Sequence, residues 1–138
     1  MKTIVVGVTN VSTAEDAAHQ AAELARELGA RLHVVSAVSE RRVFRVGSTT
    51  ESWTFTSFDE AQQHLATMRV SLGDGFEFSS AVMDGDPADS LVAEAERLDA
   101  DIIVIGSVGT QGIGRILGSV ANEVIRKAPC AVYVAKTT

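Results

Sequence analysis

Short, wholly apolar runs alternate along this chain with longer stretches whose apolar residues recur at helical spacing. Residues 4–8 are apolar or glycine throughout, which suits a strand covered on both faces. After a polar turn at residues 9–13, the span 14–28 gathers Ala17, Ala21, Leu24, Ala25 and Leu28 on one stripe, and Gly29 supplies a stop. Residues 32–38 and 76–83 predict a second and a third strand, with a helix at about residues 58–72 between them. Over residues 88–98, Leu91, Val92, Ala95 and Leu98 collect on one side of a helix, and Pro87 suits its first turn. Two more strands, 102–105 and 131–134, enclose a helix of about residues 119–127. Strands alternating with helices predict right-handed crossovers, hence an α/β fold with a mainly parallel sheet and helices on both faces.

At 138 residues the chain suits one domain spanning 1–138. Hydrophobic residues make up 46% and aromatic residues 5%, so the core is expected to consist mainly of Val, Ile, Leu and Ala. The net charge of -6, with no basic tract, disfavours a broad nucleic-acid surface but leaves room for one small anion. No uninterrupted apolar stretch approaches the ~20 residues of a membrane span. The amino terminus lacks signal-peptide features, so a cytoplasmic setting is expected.

The segment 39–59 breaks the alternation. It mixes Arg41, Arg42, Arg45 and Gly47 with Phe44, Trp53, Phe55 and Phe58, and reads as a long loop or insertion serving as lid, partner contact or irregular surface. A turn is predicted at Gly73-Asp74-Gly75.

Chemistry concentrates after the fourth strand, where Gly106, Gly109, Gly112, Gly114 and Gly118 punctuate the path to the last helix. Such glycines let main chain close on a phosphate, and a helix opening at Ser119 would point free amides at an anion. The same density also fits a permissive crossover. A Walker A loop is excluded because Gly114 is followed by Arg115 and Ile116, and the dinucleotide fingerprint is excluded because residues 9–13 contain no glycine. Arg115 suits either a forked phosphate contact or an aliphatic cover for the loop, and Ser119 either a ligand contact or a helix cap.

Other reactive residues are dispersed. His19, His33 and His64 lie on separate elements, so no metal site is expected. Cys130 is alone, in an apolar run that predicts a buried thiol. Ser12, Ser107 and Ser119 would be nucleophiles only where folding supplies a base, and none occupies Gly-x-Ser-x-Gly. Asp84 and Asp86 read as solvent-facing or capping groups. No catalytic residue is assigned, and turnover is limited at most to slow ATP hydrolysis.

Taken together, residues 4–8, Gly85-Asp86-Pro87-Ala88, residues 101–109, residues 118–124 and residues 128–134 resemble the universal stress protein family over nearly the whole chain. The resemblance implies a five-stranded sheet of order 3-2-1-4-5, a homodimer through the C-terminal strand, and a pocket for ATP or another adenine nucleotide between the ends of strands one and four. Carried onto this sequence, the pocket comprises Val8, Thr9, Asn10, Ala37, Gly106, Val108, Gly109, Thr110, Arg115, Gly118, Ser119 and Val120. Two departures stand out. The spacer from Thr110 to Leu117 has eight residues where about nine are usual in what this resemblance implies, and Thr9 replaces the usual aspartate. Losing that carboxylate weakens the case for magnesium and brings cyclic AMP and AMP forward as ligands beside ATP. A non-nucleotide-binding homodimeric scaffold, or an adaptor that uses segment 39–59 to hold a protein partner, is the alternative.

Overall fold

The computed structural model describes residues 2–8, 12–38, 44–45, 52–53, 57–107 and 118–136. Strand β1 (Thr3–Val8) is buried at every position but Gly7, as its unbroken apolar run predicts. Helix α1 (Ser12–Leu28) leads to β2 (Arg31–Val38), and the turn between them is closed by Gly29 at φ 63° and by a bond from the Ala30 amide to the Ala25 carbonyl at 2.8 Å. Within segment 39–59, β3 (Phe44–Arg45) pairs antiparallel with β4 (Ser52–Trp53), and α2 (Ser57–Leu72) begins. Then follow β5 (Phe78–Asp84), α3 (Pro87–Arg97), β6 (Ile102–Gly106), α4 (Ser119–Lys127) and β7 (Ala131–Ala135).

The main sheet has five strands in the order β5-β2-β1-β6-β7, every neighbouring pair parallel. Counted without the β3–β4 ribbon, this is the expected order 3-2-1-4-5. Two cores lie on opposite faces. On one, Ile4, Val6, Leu32, Val34 and Val104 meet the buried alanines of α1 together with Leu65, Met68 and Leu72 of α2. On the other, Val5, Val35, Ile103 and Ile105 meet Leu91 and Ala95 of α3 and Ala121 and Val124 of α4.

Several local expectations are corrected. The apolar stripe of α1 is carried by Ala17, Ala18, Ala21, Ala22 and Ala25, while Leu28 is 42% exposed. Small side chains bring the helix close to the sheet, so the alanines are covered and the terminal leucine overhangs. The third strand starts at Phe78, not Phe76. Ahead of it, Gly73 (φ 77°) and Gly75 (φ 101°) form the predicted turn, which Arg26 clamps by donating to the carbonyls of Leu72 and Asp74 while stacking 5.0 Å from the Phe76 ring centroid. Cys130 is half-buried rather than buried, because β7 is a sheet edge; what covering it has, aided by the nearby Asp101 charge, pushes the thiol pKa up.

Candidate functional site

Helices α1 and α2 lie on one face of the sheet and α3 and α4 on the other, so the connections reverse direction between β1 and β6. Parallel sheets bind ligands at such a reversal, beyond the carboxyl ends of the strands. Val8 closes β1 and is buried; Gly106 closes β6, pairs in register with Ala135 of β7, and is half-buried. The Ser107 amide donates to the Ala135 carbonyl at 2.8 Å, fixing the direction in which the chain leaves β6. Ala37 lies in the last turn of the pleat of β2, half-buried and in register with Met83.

The other side of the site is the amino end of α4. Gly118 is the N-cap, buried, with an extended backbone and no side-chain cap hydrogen bond. Its carbonyl accepts the first helical bond from the Asn122 amide at 3.1 Å. Ser119 is therefore the first helical residue and not the N-cap; it is exposed, and Val120 is half-buried. The first turn of α4 holds no acidic residue, whereas its last turn carries Arg126 and Lys127. The helix dipole is thus offset by side-chain charge at the carboxyl end and not at the amino end. An uncapped amino end with no acid in its first turn can receive an anion through backbone donors.

Val8, Ala37, Gly106, Gly118, Ser119 and Val120 are thereby placed on β1, β2, β6 and α4 around the reversal point. Thr9, Asn10, Val108, Gly109, Thr110 and Arg115 lie outside the described residues. Among the described residues no three His, Cys, Asp or Glu side chains gather as metal ligands.

The remaining reactive residues find other partners. Asp86 caps α3, its carboxylate accepting from the Asp89 amide at 3.0 Å, and Pro87 follows in the first turn. His19 Nε2 lies 3.3 Å from Ser71 Oγ, and His64 Nε2 lies 3.8 Å from Glu15. His33 is buried against the α3 face, with Nδ1 2.7 Å from Ser79 Oγ and Nε2 2.7 Å from Glu94 Oε2. Arg97 reaches in from solvent and donates to both Glu94 oxygens, at 2.8 and 2.9 Å. That fork, ahead of the His33 contact, holds the Glu94 carboxyl below its ordinary pKa although burial opposes it.

The architecture defines a doubly wound α/β domain whose connections reverse between β1 and β6. The universal stress protein family model matches residues 1–136, and the chain belongs to that family. A universal stress protein of Methanocaldococcus jannaschii is 33% identical over 141 residues, covering 98% of this chain and 82% of the relative. Among solved structures, the universal stress protein from Archaeoglobus fulgidus in complex with dAMP is 29% identical, with a TM-score of 0.69 and 97% of each chain covered. A universal stress protein in complex with cAMP is 25% identical, with a TM-score of 0.73, covering 99% of this chain and 98% of the other.

Proposed function

We propose that this chain binds one adenine nucleotide at the β1–β6 switch point and responds by a change in stability or association, without obligatory turnover. The observation that carries this reading is the amino end of α4, where the N-cap Gly118 makes no side-chain cap bond and, among the described residues, no acid stands in the first turn, at the place where this fold receives ligands. The complexes of related proteins with dAMP and cAMP support adenine as the base. Thr9, standing where the resemblance implies an aspartate, favours cyclic AMP or AMP over a magnesium-bound ATP, since one magnesium-supporting carboxylate is missing. A ligand that binds two arrangements unequally shifts their populations by that difference alone. Such a protein acts as a stress-response or signalling component in the cytoplasm, and no helix among the described residues is long and apolar enough to cross a membrane.

The test is titration calorimetry with cAMP, AMP, ADP and ATP, each with and without magnesium, on the native protein and on Gly118→Arg. Selective binding that falls about a hundredfold in the variant, equivalent to ~2.7 kcal/mol, is the expected result. Silence across the series from a folded native protein would remove the nucleotide reading.

A second reading, a homodimeric scaffold, is favoured by β7. It is an edge strand with Tyr133 43% and Val134 37% exposed, an apolar edge suited to a second copy. Sedimentation that gives the monomer mass at micromolar concentration would exclude it. The arginine- and aromatic-rich segment 39–59 is the place for a protein partner in this reading.

A further inference from the structure

Ser79, His33 and Glu94 form a linear chain of contacts, hydroxyl to imidazole to carboxylate, with both links at 2.7 Å. They come from three elements, β5, β2 and α3, and meet because Ser79 stands in register with His33. The components differ in access. His33 and Glu94 are buried, whereas Ser79 is exposed on an edge strand. The group is also remote from the nucleotide crevice: Ser79 is the second residue of β5, so it lies toward the amino end of the sheet.

The hydrogen-bond roles follow from the carboxylate. Arg97 forks onto both oxygens of Glu94 and keeps that group ionised, so it only accepts. Its neighbour His33 Nε2 must then carry a hydrogen, and in the neutral ring Nδ1 presents its lone pair to Ser79. A hydroxyl donating to a ring nitrogen whose other nitrogen is fixed by a carboxylate is the arrangement that activates serine toward acyl carbon. An anion-stabilising donor lies alongside. The Glu77 carbonyl accepts from Leu32, and the Gly85 amide donates to Val38, both at 2.8 Å. Odd-numbered residues of β5 therefore direct their backbone groups toward β2, and the alternate amides, Ser80 among them, face the open sheet edge.

We propose that Ser79 is an activated nucleophile that accepts an acyl group from an activated acyl ester. In the step, Ser79 Oγ bonds to the carbonyl carbon and its proton passes to His33 Nδ1, while the carbonyl electron pair moves onto oxygen beside the Ser80 amide. Collapse re-forms the carbonyl and breaks the bond to the leaving oxygen, which takes the proton from Nδ1. The products are acyl-Ser79 and an alcohol, and no oxidant, reductant or metal enters. Glu94 is a positioning residue, acting only through the imidazole.

The probe is p-nitrophenyl acetate, with the acetylated positions mapped by peptide mass spectrometry. Ser80, exposed and adjacent but without an imidazole contact among the described hydrogen bonds, is the internal reference. Ser79 is expected to acetylate about a hundredfold faster than Ser80, as befits a general base, and the label is expected to vanish in Ser79→Ala and to fall to the Ser80 rate in His33→Gln. The His33 ring nitrogens should report the Nε2–H tautomer by NMR in the native protein, and this signature should be lost in Glu94→Gln. Equal acetylation of Ser79 and Ser80 in the native protein would overturn the proposal, whether or not His33→Gln folds. So would Ser79 labelling that persists unchanged in a folded His33→Gln.

Discussion

Helices α3 and α4 both follow a strand of the parallel sheet and lie on the same face, yet their amino ends are built in opposite ways. The end of α3 is completed by its own chain: Asp86 caps it, Pro87 removes one donor, and Asp89 places a carboxylate in the first turn, itself bonded by Lys127 at 3.0 Å. The end of α4 has a glycine cap with no side-chain bond, and no acid in its first turn. What α3 obtains from its own cap and first-turn side chains, α4 does not obtain from Gly118. On the proposed function, this contrast separates a helix whose amino end serves stability from one whose first turn serves binding.

The largest expected effect comes from loosening α3. Its inner turns are fixed by Leu91, which lies so close over Gly7 that a Cβ there would fall 2.6 Å from Leu91 Cδ1, and by Glu94 bonded to His33 and Arg97. Glu94→Ala strands the buried imidazole and should lower stability by about 2–3 kcal/mol, read as a shift in the urea midpoint. The pH dependence has a definite sign. Because the folded-state pKa of Glu94 is depressed, its contribution is complete above the ordinary carboxylate range and is lost as pH falls through the lower native value. Acid unfolding of the native protein should therefore be steeper than that of Glu94→Ala in that window. Superimposable acid transitions would show that the Glu94 cluster does not hold α3 in place.

A smaller effect should follow from making α4 resemble α3. Gly118 has φ -61° and ψ 160°, an extended conformation open to any residue, so Gly118→Asp can supply the missing carboxylate. It would accept the first-turn amides in the manner of Asp86 and repel a phosphate. Nucleotide affinity should fall at least about tenfold, or ~1.4 kcal/mol, while thermal stability rises by about 0.5 kcal/mol from the cap and dipole. Unchanged affinity in calorimetry would mean that the first turn of α4 is not where the anion sits.

The contrast was only partly legible in the sequence. Continuous apolar runs located the parallel strands because central strands are buried on both faces, as the near-complete burial of β1 shows. Asp86 ahead of Pro87 was readable as a cap from local chemistry alone. At α4 the helix start was correct, but the cap belongs to Gly118, since Ser119 and Gly118 are adjacent and local propensity alone favours the serine. The stripe of α1 is legible at Ala17, Ala21, Leu24 and Ala25, and departs only at Leu28, which helical spacing assigns to the apolar face but which stands exposed at the helix end. The contact of His33 with Ser79 and Glu94 spans 46 and 61 residues, and no local pattern announces it. Only the β2–β5 register and the crossing of α3 bring those groups together. Of the proposed pocket, Val8, Ala37, Gly106 and residues 118–120 come from motif and resemblance, and they lie on β1, β2, β6 and at the amino end of α4.

The finest test of the contrast is to open α3. Asp86→Ala removes the acceptor for the Asp89 amide but leaves Pro87 and the remaining packing of the helix in place. Loss of an N-cap acceptor costs about 1 kcal/mol, which should lower the melting temperature by a few degrees in a domain of this size. Nucleotide affinity should not change, because α3 begins after β5, at the sheet edge beyond β2, and not at the β1–β6 reversal. If the two amino ends do different work, stability and affinity move independently: Asp86→Ala shifts the melting curve alone, and Gly118→Asp shifts mainly the binding isotherm. A parallel loss of affinity in Asp86→Ala would show instead that both helix ends contribute to one anion site, and the division between a closed and an open helix would fail.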